Sequence, residues 1–425
     1  MRIALVSYEY PPQNGLGGVG SYTFRLAGAL GRCGHDVIVL AGPNDEDDLV
    51  QPNVTVHRIP ARYDPPLGLK SLRWLYWRVF ARAMNWANPM VWHWLRWDLA
   101  TGEALRQIHE RTPIDVVEAP EHAANGLVVG RARRWPMVVR VHGPWDLFFG
   151  LNRTGGTPLN RLLAYLERES TRYAHTLTTP SRTMARFIQD RWNLPHAPKV
   201  LPNFMDVPIE RYPLAPAGGA QKIVCAGRIE RFKGQDVLVR AFAAVAEAHP
   251  RARLVLIGPD QWSDHEPFAR YVDSVAPDPG VRARIVLTGP VPLQRVQHEL
   301  RTASIAAVCS TGFESFSFST LEAMSAARPI IACQSGAIPE LLADGDCGLL
   351  VPRADDLQLA DGLDRLLCDR DLCAHLGTSA HRRARAHYDT AAVIPRYVEA
   401  YGRTQEAVQG WTEFPKIEEL MAMSA

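Results

Sequence analysis

The sequence predicts an α/β fold in which two domains, each built on a parallel sheet, follow one another along the chain. Short apolar segments bounded by turn residues alternate with amphipathic segments of helical period, which is the pattern of βα units. This alternation stops at residues 206–220, a segment rich in proline and glycine, and then starts again. The length of 425 residues suits two large domains, or three small ones, at roughly 150 residues per domain.

The individual elements follow from the positions of the apolar residues. In the first half, Tyr22, Leu26, Ala29 and Leu30 recur at helical spacing. Strands are expected there at residues 3–7, 37–40, 54–59, 114–117, 137–141 and 176–179. In the second half, strands are expected at residues 223–227, 254–258, 285–289, 305–310, 330–333 and 349–351, and helices at residues 235–249, 320–327 and beyond 387. The expected division is an N-terminal domain at residues 1–205, a linker at 206–220, and a C-terminal domain at 221–387 followed by a helical tail.

Charge and composition argue against several classes of protein. Lysine plus arginine (47) nearly balances aspartate plus glutamate (45), which argues against a dedicated nucleic-acid binder. The seven cysteines contain no CxxC pair, so neither a disulfide framework nor a cysteine-rich zinc site is expected. The N-terminus has the pattern of a short strand rather than a signal peptide, and no apolar run approaches the about 18 residues of a spanning helix. The expectation is a cytoplasmic protein with reduced thiols.

A glycine-rich loop at residues 15–20 matches the G-x-G-x-x-G pattern of dinucleotide-binding proteins. Its context differs from that pattern, because Pro11 and Pro12 separate the glycines from the preceding strand and Asp36 stands before the second strand rather than after it. The favoured interpretation is a loop before a helix N-terminus, whose backbone N–H groups could hold an anion. A simple glycine-rich turn is the alternative.

Two further segments place charged residues at the carboxyl ends of predicted strands in the second domain, where open α/β sheets bind ligands. Arg228 and Lys233 share one loop after Gly227 and together suit a diphosphate, although solvated surface cations are the simpler alternative. Glu314 and Glu322 flank the end of another strand, where carboxylates could accept hydrogen bonds from sugar hydroxyls. Glu322 is predicted in the first turn of a helix, so stabilisation by the helix dipole is its alternative role.

The sequence indicates no metal site. The D-x-D pattern at residues 344–346 contains a glycine and is interpreted as a turn, and the acidic run at residues 45–48 is interpreted as a solvated loop. Neither an H-x-x-x-H nor an H-E-x-x-H pattern occurs in the chain.

In their order along both domains, these and other short motifs resemble the family 4 glycosyltransferases, which are retaining enzymes of the GT-B fold. Each motif is weak alone, but their order across nearly the whole chain is specific. The matching segments are Gly17-Gly18, Val141-His142-Gly143, Thr179-Pro180-Ser181, Pro202-Asn203 with Asp206, Gly227-Arg228 with Lys233-Gly234, Glu314 with Glu322, residues 335–340 (SGAIPE) and residues 348–351 (GLLV). The resemblance implies two Rossmann-like domains facing across a cleft, and a C-terminal helix at about residues 388–425 that packs back on the first domain.

The resemblance also implies how individual residues would bind a nucleotide diphosphate sugar. Arg228 and Lys233 would bind the diphosphate and stabilise the leaving group. Glu314 would hold hydroxyls of the transferred sugar, His142 would contact that sugar, and Glu322 would bind the ribose hydroxyls. The other donor-binding residues that it implies are Gly17, Gly18, Gly227, Phe316, Ser317 and Phe318.

One departure from the family pattern lies in this implied donor site. Ser315 and Ser317 stand where the family commonly has glycine, in the form E-G-F-G. Because a serine adds a side chain close to the donor, the departure puts donor specificity in question more than activity.

The implied reaction is transfer of a sugar, with retention, from a UDP- or GDP-sugar to a hydroxyl of a glycan, glycolipid or small-molecule acceptor, as in polysaccharide biosynthesis. A preorganised Arg/Lys pair would stabilise the departing diphosphate, so neither a metal nor another cofactor is expected. A catalytically inactive nucleotide-sugar-binding module of the same fold is the alternative. An epimerase or a phosphorylase is a further one, although no pyridoxal-binding lysine is identifiable. No nucleic-acid partner is expected.

The eleven tryptophans are unevenly distributed, since six of them lie in one short stretch between the third and fourth predicted strands. The spacing of apolar residues there predicts a helix that ends at Pro89 and a second helix after it. Some of these tryptophans are expected in the core. Trp74 and Trp77, with Arg78 and Arg82, are expected to form a basic aromatic surface that suits an acceptor or a membrane interface. Peripheral contact with the inner face of the cytoplasmic membrane therefore stays open.

Overall fold

In the computed structural model of the protein, the described residues are 1–12, 17–61, 89–147, 158–214, 218–263 and 265–409. The chain divides into two compact units. Unit 1 consists of Met1–Pro180, Ala185–Leu201 and the chain from Ile394 onward, and unit 2 consists of Ser181–Met184 and Pro202–Val393. Unit 2 therefore begins before the segment expected to be a linker.

Unit 1 is built on a parallel sheet flanked by helices. Its described strands are β1 (Arg2–Ser7), β2 (Asp36–Ala41), β3 (Val54–Arg58), β4 (Val116–Pro120), β5 (Met137–Arg140), β6 (Thr176–Thr179) and β7 (Lys199–Val200). They pair in the order β3-β2-β1-β4-β5-β6-β7. The helices are α1 (Gly18–Arg32), α2 (Pro89–Arg111), α3 (Leu127–Arg131), α4 (Pro158–Thr171) and α5 (Arg182–Trp192), of which the first three residues of α5 belong to unit 2. Strands β1, β2, β4 and β5 are almost wholly buried, as expected for a parallel sheet covered on both faces.

Unit 2 repeats this architecture. Its described strands are β8 (Gln221–Ala226), β9 (Ala252–Ile257), β10 (Ile285–Leu287), β11 (Ile305–Val308), β12 (Ile330–Cys333) and β13 (Leu349–Val351). They pair in parallel in the order β10-β9-β8-β11-β12-β13. The helices are α6 (Gln235–Val245), α7 (Phe268–Val275), α8 (Pro279–Arg282), α9 (Leu293–Arg301), α10 (Phe318–Ser325), α11 (Ile338–Leu341), α12 (Asp356–Cys368) and α13 (Arg370–Tyr388). Among the described residues the last helix is α14 (Thr390–Gln409), which begins in unit 2 and continues into unit 1.

The core of unit 2 lies on both faces of its sheet. Ile223 and Cys225 of β8 pack into one apolar cluster together with Phe242 of α6, whereas Val224 between them packs into a second cluster with Leu321 of α10. Successive side chains of a strand point to opposite faces, so continuous apolar runs are needed where both faces are covered. This explains why the strands could be recognised as unbroken apolar segments.

Arg328 of unit 2 binds the segment at residues 206–220 that was expected to be a linker. This wholly buried guanidinium donates to the carbonyl oxygens of Tyr212 and Pro213, and also to those of Ala303 and Ala326. Burial lowers the pKa of Arg328 to about 10. Four carbonyl acceptors compensate the buried cation, and they hold residues 212–213 against the unit.

Several predicted elements have different bounds in the structure. The fourth strand runs Val116–Pro120 rather than 114–117, and it carries the charged Glu118 in its middle. The helix expected at residues 235–249 ends at Val245, and Asp36 begins β2 instead of preceding it. In the acidic run that was expected to be solvated, Asp48 forms an ion pair with Arg58 at 2.5 Å.

The clustered tryptophans are described only in part. Trp92 and Trp97 of α2 are buried, and the Trp97 indole donates to the carbonyl oxygen of Ile59 at 3.1 Å, so these two belong to the core. Pro89 is the first described residue of α2, which is the second of the two helices expected in this stretch, and the helix expected before Pro89 lies outside the described residues. The predicted surface residues Trp74, Trp77, Arg78 and Arg82 lie outside the described residues. Across the described ranges, every helix is either too short or too polar to cross a bilayer.

Candidate active site

Lys233 and Glu314 form an ion pair in unit 2, in the loops that leave the carboxyl ends of β8 and β11. The Lys233 Nζ lies 2.7 Å from Glu314 Oε1, and the Ser310 hydroxyl donates to the same oxygen at 2.6 Å. The side chain of Glu314 is 7% exposed and that of Lys233 is 24% exposed. Charges in such a site interact more strongly than in water, so each side chain holds the other in place. The fold therefore brings together two residues that the sequence analysis had selected separately.

The two loops are also joined through their backbones. The N–H groups of Thr311 and Gly312 donate to the carbonyl oxygen of Phe232 at 3.0 and 3.2 Å. Gly234 ends the first loop with a φ of +67°, and a Cβ atom there would lie 2.1 Å from the carbonyl oxygen of Cys309. Both the left-handed conformation and the close approach require glycine at this position. The backbone geometry thus fixes Lys233 relative to Glu314.

Gln235, which was not predicted from the sequence as a site residue, binds the backbone of the loop that carries Arg228 and Lys233, here called the cation loop. Its side chain is buried, its amide nitrogen donates to the carbonyl oxygen of Arg228 at 2.8 Å, and its amide oxygen accepts from the N–H of Glu230 at 3.4 Å. The Arg228 side chain itself is half exposed and pairs with Glu230 at 3.2 Å, not with the Lys233–Glu314 pair. A polar residue directly after the cation loop was the available signal for Gln235.

A turn after β12 supports the Glu314 backbone. The N–H of Ala337 donates to the carbonyl oxygen of Glu314 at 2.8 Å, and the Ser335 hydroxyl donates to that of Gly312. Gly336 lies between them with a φ of +51°, and a Cβ atom there would come within 2.1 Å of the Glu314 carbonyl oxygen. This close approach explains the glycine of the SGAIPE segment.

Replacing Gly336 with alanine is expected to lower turnover and stability together. The new methyl group must displace the backbone of Glu314, and a non-glycine residue at this φ adds strain of about 1 kcal/mol or more. Thermal unfolding and steady-state kinetics on the same preparation measure the two effects. Gly289 is a matched control, because its φ is +66° but a Cβ atom there meets nothing within 4 Å. Equal effects of the two substitutions would contradict the argument from close approach.

The serine-containing segment after Glu314 begins α10. Ser317 is buried, and its hydroxyl accepts from the N–H of Thr320 at 3.3 Å, so it caps the helix N-terminus. Because α10 begins at Phe318 and not at residue 320, Glu322 lies in the second turn and not in the first. Dipole stabilisation, which is confined to the first turn, therefore does not account for Glu322. The ring of Phe316 packs edge-on against that of Phe318, with centroids 5.8 Å apart.

In unit 1, His142 follows the end of β5 and packs against α1. Its ring meets the Tyr22 ring edge-on, with centroids 4.8 Å apart. Its backbone N–H donates to Glu121, which is wholly buried. Burial, followed by the nearby Arg140, lowers the pKa of His142 well below its usual range. The imidazole is therefore neutral near pH 7 and able both to donate and to accept a hydrogen bond.

A buried polar network lies next to His142. The carboxylate of Glu118 accepts from the Tyr22 hydroxyl at 2.7 Å and from the Tyr401 hydroxyl of α14 at 2.8 Å. The guanidinium of Arg140 lies over the Tyr22 ring at 4.4 Å and over the Tyr397 ring at 5.5 Å. Every member of this network is less than 5% exposed. The network joins α14 to β4, β5 and α1, so the final helix completes the core of unit 1.

Gly17 and Gly18 lie at the N-terminus of α1, where the sequence predicted an anion site. Gly17 is the N-cap residue of this helix. Glu9 lies against it, because a Cβ atom on Gly17 would be 2.2 Å from Glu9 Oε2, and the same oxygen accepts from the N–H of Gly20 at 3.4 Å. A carboxylate of the chain itself therefore lies at this helix end, where negative charge is favoured. Glu9 is not among the site residues predicted from the sequence.

Two family models match the chain, one in each half. A glycosyl transferase 4-like domain matches residues 17–203, and a domain of the glycosyl transferases group 1 matches residues 220–369. D-inositol 3-phosphate glycosyltransferase of Corynebacterium aurimucosum is 35% identical over 156 residues, which is 36% of either chain. The enzyme of the same name from Acidothermus cellulolyticus is 28% identical, over 91% of this chain and 87% of its own. In the first three relatives of this name, the match spans less than half of the relative's length.

Solved structures share the fold over nearly their whole length. Sucrose-phosphate synthase from Thermosynechococcus elongatus superposes with a TM-score of 0.75 at 20% identity, covering 96% of this chain and 99% of its own. HepE from Anabaena, solved in complex with UDP and glucose, superposes with a TM-score of 0.67 at 18% identity, covering 94% and 99%. The two parallel sheets flanked by helices, together with these superpositions, show that the chain has the GT-B fold. The two family models, which match residues 17–203 and 220–369, show that the chain belongs to the family 4 glycosyltransferases.

Proposed function

We propose that the chain transfers a hexose, with retention of configuration, from a UDP- or GDP-sugar to a hydroxyl of a glycan, a glycolipid or a small-molecule acceptor. The observation that carries the proposal is the Lys233–Glu314 ion pair at the strand ends of unit 2. A lysine ammonium has three donors, so its bond to Glu314 leaves others for phosphate oxygens. A fixed cation at that point stabilises the charge that develops as a diphosphate departs.

The proposed roles of the other site residues follow from their chemistry. Arg228 is half exposed and adds a second cation for the diphosphate. Glu314 accepts hydrogen bonds from hydroxyls of the transferred sugar, and Glu322 accepts those of the ribose. The neutral imidazole of His142 contacts the sugar. Gly17, Gly18, Gly227, Phe316, Ser317 and Phe318 would line the donor site.

In the proposed reaction, the acceptor oxygen attacks the anomeric carbon on the face that the diphosphate leaves. The bond from the anomeric carbon to the phosphate oxygen breaks, the new glycosidic bond forms, and the acceptor proton passes to the departing phosphate oxygen. The protein cations neutralise the leaving group, so we propose that no metal is required.

The direct test is release of the nucleoside diphosphate from a panel of UDP- and GDP-sugars. The acceptor panel includes inositol phosphates, because of the relatives' names, and oligosaccharides. We expect acceptor-dependent release with one base, an unchanged anomeric configuration in the product, and the same rate in excess EDTA. A loss of rate in EDTA that Mg²⁺ or Mn²⁺ restores would contradict the metal-free reaction. Thermal stabilisation by a nucleotide sugar with no turnover would instead favour an inactive binding module.

A further inference from the structure

Glu121 makes direct hydrogen bonds to the backbone of the residue that carries the His142 imidazole. This carboxyl group lies just after β4 and is wholly buried. Its Oε1 accepts from the N–H of Gly143 at 2.6 Å and from that of His142 at 2.8 Å, and its Oε2 lies at 2.8 Å from the His142 N–H. Both oxygens are thus directed at one turn of backbone. An ionised carboxylate is suited to this arrangement, because it accepts at both oxygens and donates at neither.

We propose that Glu121, in its ionised form, is a positioning residue that sets the orientation of His142 for the transfer reaction. The proposal rests on the proposed function, in which the His142 imidazole contacts the sugar. The His142 imidazole also meets the Tyr22 ring in a T-shaped contact with centroids 4.8 Å apart, so its orientation is set by that ring together with the backbone that Glu121 binds. Small displacements of a group that touches a reacting sugar are costly, since a shift of about 1 Å can cost 10²-fold in rate.

A second buried carboxyl group, that of Glu167 in α4, provides a control. It distinguishes the positioning of His142 from a general stabilisation of the nearby backbone. It is also wholly buried, and it accepts from the N–H groups of Ala123 at 3.0 Å and Trp145 at 2.7 Å. It therefore braces the same two backbone segments as Glu121 does, but it makes no bond to His142 or Gly143 among the described residues. Replacing Glu167 therefore measures how much kcat changes when buried hydrogen bonds to this backbone are lost without a change at His142.

The protonation of Glu121 gives the proposal a second observable. Burial raises the pKa of Glu121 to about 7, against the lowering effect of the backbone N–H groups that it accepts from. Below about pH 7 one carboxyl oxygen of Glu121 carries a proton, so the N–H groups of His142 and Gly143 lose part of their acceptor. Burial, followed by the neighbouring Glu121, raises the pKa of Glu167 well above its usual range. His122, His142 and Glu167 are the titratable groups close to Glu121, and the charged groups that act on those three in turn are Glu9, Arg140 and Asp146.

The experiment compares Glu121→Gln with Glu167→Gln by measuring kcat and the donor KM from pH 5.5 to pH 8.5. For the unsubstituted protein we expect kcat to fall as the pH drops through about 7, with a donor KM that changes less than about twofold. Glu121→Gln places an NH₂ group toward the His142 N–H, so we expect a kcat lowered by about tenfold or more at pH 8 and no inflection near pH 7. Glu167→Gln is expected to keep the inflection.

Three outcomes overturn the proposal: an inflection near pH 7 that persists in Glu121→Gln, an unchanged kcat in that variant, or the same loss of kcat in Glu167→Gln. If Glu121→Gln does not fold, the proposal is tested instead on unsubstituted, histidine-labelled protein, by following the NMR signal of the His142 imidazole with pH. It should shift with an inflection near pH 7, and a flat signal there overturns the proposal. This signal needs no turnover. Failure of the proposed function, seen as no transfer with any donor, is therefore distinguishable from failure of the positioning role.

Discussion

Replacing Lys233 with alanine is expected to lower kcat by 10²-fold or more, which is about the cost of removing one preorganised electrostatic donor. The substitution removes the cation that lies 2.7 Å from Glu314. It also leaves the buried Glu314 carboxylate with the Ser310 hydroxyl as its remaining described partner, so both proposed functions of the pair are lost together. Release of nucleoside diphosphate at saturating donor measures the effect.

Lys222 provides a matched control for Lys233 in the same unit. It lies near the start of β8, whereas Lys233 follows the carboxyl end of that strand, and it pairs with Glu299 at 2.6 Å. Its side chain is 21% exposed, close to the 24% of Lys233. We expect Lys222→Ala to keep most of the turnover. Equal losses in the two variants, or near-normal turnover in a folded Lys233→Ala protein, would remove Lys233 from the proposed mechanism.

Replacing Glu118 with alanine is expected to destabilise unit 1 by about 3–5 kcal/mol, the usual cost of removing one partner from a buried charged network. The change leaves the hydroxyls of Tyr22 and Tyr401 without their common acceptor and leaves Arg140 buried beside them. Burial raises the pKa of Glu118, while Arg140 and the two tyrosine hydroxyls lower it. Denaturant unfolding, with amide exchange in β4 and β5 to isolate unit 1, measures the effect.

Glu103 of α2 is the control for Glu118. It is a partly exposed carboxylate whose pKa is lowered to about 2 by hydrogen bonds from Arg106 and Gln107. Solvent screens this pair, so we expect Glu103→Ala to leave the unfolding midpoint of unit 1 nearly unchanged. A Glu118→Ala protein as stable as Glu103→Ala would show that the network adds nothing to the stability of the unit.

The order of the elements was predictable because both sheets are parallel and covered on both faces. Strands β6, β12 and β13 have the predicted bounds; β12 and β13 are apolar throughout, β6 has the sequence Thr-Leu-Thr-Thr, and turn-forming residues follow each of the three. The fourth strand was misplaced because Glu118 interrupts its apolar pattern, and its burial depends on Tyr401, far away in the chain. A local pattern cannot show a partner at that distance.

The site was predictable only in part, for a related reason. Arg228, Lys233, Glu314 and His142 lie in motifs that resemble those of a known family, so they could be selected from the sequence. Glu121 and Gln235 bind backbone N–H and carbonyl groups, which every residue possesses, so no partner residue marks them in the sequence. Their roles became visible only when the loops were placed in space.

The path of α14 has a consequence for the order in which the chain matures during synthesis. Tyr397 and Tyr401 emerge from the ribosome only after all of unit 2, yet they complete the core that surrounds Glu118 and Arg140. Until then, the N-terminal half of the nascent chain has Tyr22 beside Glu118 and Arg140 but lacks Tyr397 and Tyr401, whereas all of unit 2 has already been synthesised. Truncation before Tyr397 would leave unit 1 in this immature form, open to chaperones and proteases, even though every strand of its sheet had been made.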